Sequence, residues 1–233
     1  MDDRPCWSEL ARDLKVFLDY MGTLGVVEVP AVEPGPLPQA KPSAPPPDPP
    51  ATLEALREEA RDCTRCRLCR GRRNVVFGEG SGRSGLMFIA DRPGEEDDRA
   101  GRPFAGPDGA LLTNIIVKGM KLAREDCHLT YLVKCHSREM GEPTPSDAKT
   151  CRQFLPRQIA LIKPKVIVAL GEEAAQALLG ENKRLGQLRN RFIPFQGIPV
   201  MTTFHPAFLL EHPERKGQAW DDIKMALERL NRG

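Results

Sequence analysis

Apolar side chains in this chain fall into short unbroken runs, separated by stretches in which they recur every three or four positions. The runs LMFIA (86–90), HLTYLVK (128–134), KVIVAL (165–170) and PVMTTF (199–204) have the length of strands, and their continuity suits burial on both faces. Between and around them, residues 51–62, 109–122, 147–162, 171–179 and 218–231 carry helical spacing. Strands alternating with helices predict βαβ units, and hence a three-layer α/β/α sandwich around a mostly parallel central sheet. Ligands of such sheets bind beyond the carboxyl ends of the strands. Chemistry is therefore expected just after Ala90, Lys134, Leu170 and Phe204.

The first fifty residues read differently. Leu10, Leu14, Phe17, Leu18 and Met21 mark one face of an amphipathic helix over 7–22, with Ser8 as its cap and Gly22 as its stop. From Pro30 to Pro50, ten of 21 residues are proline, which predicts an extended, semi-rigid linker. The predicted division is thus an N-terminal helical segment at 1–29, a linker at 30–50 and one domain at 51–233. Length allows that single domain plus an appendage. No run of about 18 apolar residues is present, so no membrane span is expected. MDDRPCWSEL lacks the basic start and apolar stretch of a secretory signal, and a cytoplasmic location is the expectation. The 34 Lys and Arg nearly balance the 32 Asp and Glu. Residues 1–50 hold eight of those acids and only four of the bases, so the remainder is basic, as suits a polyanionic partner.

Seven cysteines with no secretion signal read as metal ligands or free thiols. Cys63, Cys66 and Cys69 form C-x2-C-x2-C, Cys135 and Cys151 follow downstream, and Cys6 and Cys127 stand alone. Clustered soft thiolates suit zinc or an iron–sulfur cluster, and spacing does not choose between them. A four-thiolate site would act as a staple across distant segments.

Two strand-end segments carry candidate chemistry. The first reads Ala90-Asp91-Arg92-Pro93-Gly94-Glu95, followed by three more acids. A carboxylate beside a Pro-Gly turn places backbone N–H groups and acids around one pocket, although an acidic turn by itself is most often merely solvated. Nearby, Phe104 lies between Gly101 and Gly106, where its ring either faces a flat ligand or packs in the core. The second segment is Phe204-His205-Pro206-Ala207-Phe208-Leu209-Leu210. An imidazole at that strand end is placed to donate to a developing oxyanion.

Taken in order, these motifs resemble the family 4 uracil-DNA glycosylases, the iron–sulfur branch of that superfamily. The match runs through C-x2-C at 63–66, VVFGEG at 75–80, LMFIADRPGEEDD at 86–98, GRPFAG at 101–106, LVKC at 132–135, Cys151, VIVALGEEAA at 166–175 and FHPAFLLEHP at 204–213. It covers about residues 52–231. The resemblance implies a [4Fe–4S] cluster on Cys63, Cys66, Cys135 and Cys151, with Cys69 spare. It implies hydrolysis of the N-glycosidic bond of uracil, or of another deaminated base, after the base is flipped from DNA. Phe104 would stack on the base, His205 would stabilise charge on the departing uracil, and Asp91 would orient water or stabilise the cationic sugar. Arg92, Gly94, Glu95 and Tyr131 would line the base site. Pro206, Ala207, Phe208, Leu209 and Leu210 would form a loop pressed into the minor groove. The expected partner is DNA, with no membrane, and the expected state is a monomer.

The chain departs from the family pattern in several places. Asp91 and Arg92 stand where the family has Glu and Ala, and Glu211 stands where it has Arg. His136-Ser137-Arg138 replaces Arg-Pro-Pro. Tyr131 replaces an Asn whose amide pairs a donor and an acceptor with the uracil edge, which a phenol cannot do. Losing such a pair can cost discrimination of about 10⁴-fold. The alternative is a glycosylase fold that binds nucleic acid without excising uracil.

Overall fold

The structure, a computed structural model, describes Lys15 and residues 52–232. Lys15 apart, the helix expected over 7–22 lies outside the described residues, as does the proline-rich stretch 30–50.

Five strands form one sheet: β1 (Leu86–Ala90), β2 (His128–Tyr131), β3 (Val166–Leu170), β4 (Phe192–Phe195) and β5 (Ile198–Thr203). Their spatial order is β2-β1-β3-β5-β4, and every pairing is parallel except the β4–β5 hairpin. The helices in chain order are α1 (Leu53–Arg61), α2 (Glu95–Ala100), α3 (Pro107–Asn114), α4 (Pro145–Cys151), α5 (Phe154–Ile162), α6 (Glu172–Leu179), α7 (Leu185–Leu188), α8 (Pro206–Glu211) and α9 (Lys216–Asn231).

Alternation along β1 and β3 sends side chains to opposite faces, and both faces are covered. Leu86, Phe88, Val166 and Val168 pack with Leu112 of α3 and with Ile223 and Ala226 of α9. Met87, Ile89, Ile167 and Ala169 pack with Leu155 and Ile159 of α5 and with Ala175 and Leu178 of α6. This is the expected α/β/α sandwich.

Local differences have identifiable causes. The helix expected over 147–162 is two helices, because Pro156 cannot donate to residue 152 and its ring opposes that turn. The break leaves Cys151 at the end of α4. The helix expected over 109–122 starts at Pro107 and ends in a π-turn over Ile115–Gly119. β2 stops at Tyr131 rather than residue 134. The acidic stretch after Gly94 is not a solvated turn but α2, and Asp97 and Asp98 are buried. The segment after His205 is not a loop but α8.

Candidate active site

Asp91 follows β1, Tyr131 ends β2, Gly171 follows β3 and His205 follows β5, so the parallel strands bring all four to one edge of the sheet. Gly171 has φ 97°, and a Cβ there would stand 3.3 Å from the His205 Cβ. A glycine between β3 and α6 therefore makes room for the histidine.

His205 caps α8. Its Nδ1 accepts the Ala207 N–H at 3.1 Å. The neutral ring then carries its proton on Nε2, which makes that atom a donor. Its ring centroid lies 6.2 Å from that of Phe104. Behind it, Asp222 of α9 is fully buried and accepts from Thr203 Oγ1 at 2.8 Å and from Arg189 Nε and Nη2 at 3.0 and 2.9 Å. This network fixes the end of β5 two residues before His205. Arg189 also lies over the Phe204 ring, 4.9 Å from its centroid.

Burial pushes the Asp91 carboxyl up, and Arg92 and His205 pull it partway back. Arg92 Nη1 lies 3.4 Å from Asp91 Oδ2 and 2.5 Å from Glu142 Oε2, so the cation is shared with the segment following Cys135. Gly94 caps α2 and donates its N–H to Asp97 Oδ2 at 2.9 Å. Glu95 faces solvent and pairs with Arg99.

Phe104 is only 3% exposed, and its φ of 53° is rare for a residue with a side chain. Tyr131 covers it, with ring centroids 4.9 Å apart. The Tyr131 hydroxyl donates to Asp97 Oδ2 at 2.7 Å and accepts the Phe104 N–H at 3.1 Å. Burial and the Asp97 carboxylate push this phenol up. Arg124 holds the other side of the turn, donating to Pro103 O at 2.9 Å and pairing with Glu79 at 2.7 Å.

The expected groove-inserting loop divides by face. Pro206 and Leu209 are buried, whereas Ala207, Phe208 and Leu210 are exposed. Phe208 stacks on Phe204 at 5.5 Å and meets His212 at 4.2 Å.

Cys63, Cys66, Cys135 and Cys151 line one cavity with Ala60, Arg72, Lys134 and Phe154, and Cys69 is not among its lining residues. Arg72 Nη1 donates to Cys63 O at 2.6 Å and contacts Cys135 Sγ at 3.4 Å. Among the described residues no group of three or more His, Cys, Asp or Glu converges on a single ion.

A family model described as the uracil DNA glycosylase superfamily matches residues 77–224. Among curated relatives, a type-4 uracil-DNA glycosylase of Saccharolobus solfataricus is 34% identical over 187 residues, covering 77% of this chain and 87% of its own. A type-4 enzyme of Thermotoga maritima is 38% identical over 162 residues, 69% of this chain and 84% of its own. The chain belongs to the uracil-DNA glycosylase superfamily, among its type-4 members. Within that superfamily fold, Asp97, Arg124, Arg189 and Asp222 are structural anchors of the site that sequence reasoning passed over. For Asp97 a signal existed, since an acid at the third helical position can reach back to accept the N–H of the cap residue, here Gly94. For Asp222, no spacing links α9 to β5.

Proposed function

We propose that the protein hydrolyses the N-glycosidic bond of uracil in DNA. The observation that carries this reading is the meeting of an Nε2–H donor at His205, the Asp91 carboxylate and the Phe104 ring at one sheet edge, in a chain about one-third identical to type-4 uracil-DNA glycosylases.

The bond breaks heterolytically toward a cationic sugar and an anionic base, and water then adds to the sugar. His205 Nε2–H donates toward the negative charge that develops on the leaving base, a fixed dipole that needs no reorganisation at the moment of reaction. Asp91 in its ionised form faces the sugar, where it stabilises positive charge and orients the water. Phe104, 6.2 Å from His205 between ring centroids, supplies the ring on which the base stacks. The exposed Ala207, Phe208 and Leu210 meet the DNA, and Pro206 and Leu209 hold their helix to the body of the protein.

Cys63, Cys66, Cys135 and Cys151 would hold a [4Fe–4S] cluster. The fit rests on four soft donors around a common cavity, with Arg72 beside one sulfur and Lys134 among the lining residues. A bound cluster would supply a covalent staple between the segment after α1, the segment that follows β2, and α4. Residues 51–233 are proposed to act as one catalytic domain, a cytoplasmic monomer whose partner is DNA, with 1–29 and 30–50 as appendage and linker.

One observation favours a second reading. The hydroxyl of Tyr131 is engaged within the protein, and a site without edge recognition fits a nucleic-acid-binding protein that does not excise. Base release from uracil-containing DNA, by protein of verified iron content, decides between them. Release of free uracil supports the proposal, and bound DNA with no released base supports the second reading.

A further inference from the structure

Phe104 has a left-handed backbone, which is strained for a non-glycine residue and persists only where its surroundings impose it. Those surroundings are specific. The Phe104 N–H donates to Tyr131 Oη, the Tyr131 hydroxyl donates to Asp97 Oδ2, and Asp97 Oδ1 accepts the N–H of the next residue, Ala105, at 2.8 Å. The Phe104 carbonyl faces Gly109, where a Cβ would come within 1.8 Å of it. The turn is thus clamped through a buried carboxylate and a buried phenol.

The same bonds settle what Tyr131 has left to offer. A phenol has one proton, and Asp97 takes it. A pyrimidine edge presents O4, which needs a donor, beside N3–H, which needs an acceptor. Tyr131 has no proton for O4.

We infer that Asp97 and Tyr131 are a positioning pair that holds Phe104 where its ring stacks on a base, and that Tyr131 does not donate to O4 of that base. This deepens the proposed glycosylase reading and rests on it for the base that meets Phe104, although the clamp itself does not.

The test uses the full chain with Tyr131→Phe, Asp97→Asn, Phe104→Leu and the pair Tyr131→Phe with Phe104→Leu. In single-turnover release of uracil, Tyr131→Phe and Asp97→Asn each slow the chemical step by about tenfold or more, as expected for a lost bond to a charged acceptor. The Tyr131→Phe change adds nothing on top of Phe104→Leu, because the clamp then has nothing to hold. The ratio of release rates for uracil and 4-thiouracil, which differ at the O4 position alone, stays within about threefold in Tyr131→Phe. Amide exchange at Phe104 quickens by about tenfold or more in that variant while β1 amides do not change. A tenfold shift in the uracil to 4-thiouracil ratio, or unchanged exchange at Phe104, overturns the inference. If Asp97→Asn fails to fold, Tyr131→Phe, which removes a single oxygen, carries the test. If the wild type releases no base, the glycosylase reading fails, and exchange at Phe104 still decides the clamp.

Discussion

His205 accepts the Ala207 N–H at Nδ1, two residues along its own helix. That local bond sets the tautomer, so the side chain presents a proton from Nε2 without needing a charge. His205→Ala removes this donor. Single-turnover excision is expected to fall by about 10²–10³-fold, as for loss of one fixed oxyanion donor. DNA affinity, measured by anisotropy, is expected to change little. Equal losses in binding and turnover would assign His205 to DNA contact instead.

Asp91 is expected to work ionised, and its carboxyl sits above the ordinary aspartate range because burial outweighs Arg92 and His205. Excision should therefore rise with pH through an acid limb placed above that range. Arg92 is the largest of the influences that pull the carboxyl down. Arg92→Gln removes that pull, so the acid limb should move to higher pH. A limb that stays in place, or moves to lower pH, would separate Asp91 from the chemistry or Arg92 from Asp91.

The central strands and the strand-end residues were legible because burial on both faces leaves a continuous apolar signature, as in LMFIA and KVIVAL. β4 was not, since FIPF is four residues long, contains Pro194 and lies only partly buried at the sheet edge. Its hairpin does have a local cause: Gln196 and Gly197 both take positive φ, 50° and 83°, as a two-residue turn of the primed kind requires. α2 escaped because four successive acids suggest solvent, whereas Asp97 and Asp98 are turned inward to cap backbone N–H groups from distant segments. Such long-range hydrogen bonds leave no periodicity to read. The same holds for Tyr131, whose place in the sequence suggests contact with substrate and whose hydroxyl faces protein.

The cysteine cavity includes Cys63, Cys66, Cys135 and Cys151 and leaves out Cys69. Cys69→Ser should accordingly retain the iron content and visible absorbance of the wild type. Cys135→Ser or Cys151→Ser should lose most of both and lower the melting temperature, since the staple across three segments is gone. Iron analysis of the three purified variants checks this. Loss of iron in Cys69→Ser with retention in Cys151→Ser would reassign the ligand set.

Adjacent leucines of α8 should separate stability from function. Leu209 is 2% exposed and packs inward, and Leu210 is 43% exposed. Leu209→Ala is expected to destabilise the fold by about 2–5 kcal/mol in urea unfolding. Leu210→Ala should leave stability unchanged and slow excision from duplex DNA more than from single strands, because only the duplex must be opened. An equal effect on both substrates would remove Leu210 from base extrusion.

His128 should make stability depend on pH. It is fully buried in β2, its Nδ1 lies 2.8 Å from Gly80 O, and its Nε2 has no partner among the described residues. Burial lowers it to about 4. The unfolded chain, with an ordinary histidine near 6.5, binds a proton that the folded chain refuses. The stabilisation is therefore complete above pH 6.5 and is lost progressively as pH falls toward 4. Between pH 7 and 5 this histidine should cost about 2 kcal/mol of unfolding free energy. His128→Asn, which keeps a donor for Gly80 and cannot be protonated, should lack that part of the slope. Parallel urea titrations at the two pH values measure the difference, and identical slopes would show that the acid sensitivity resides elsewhere.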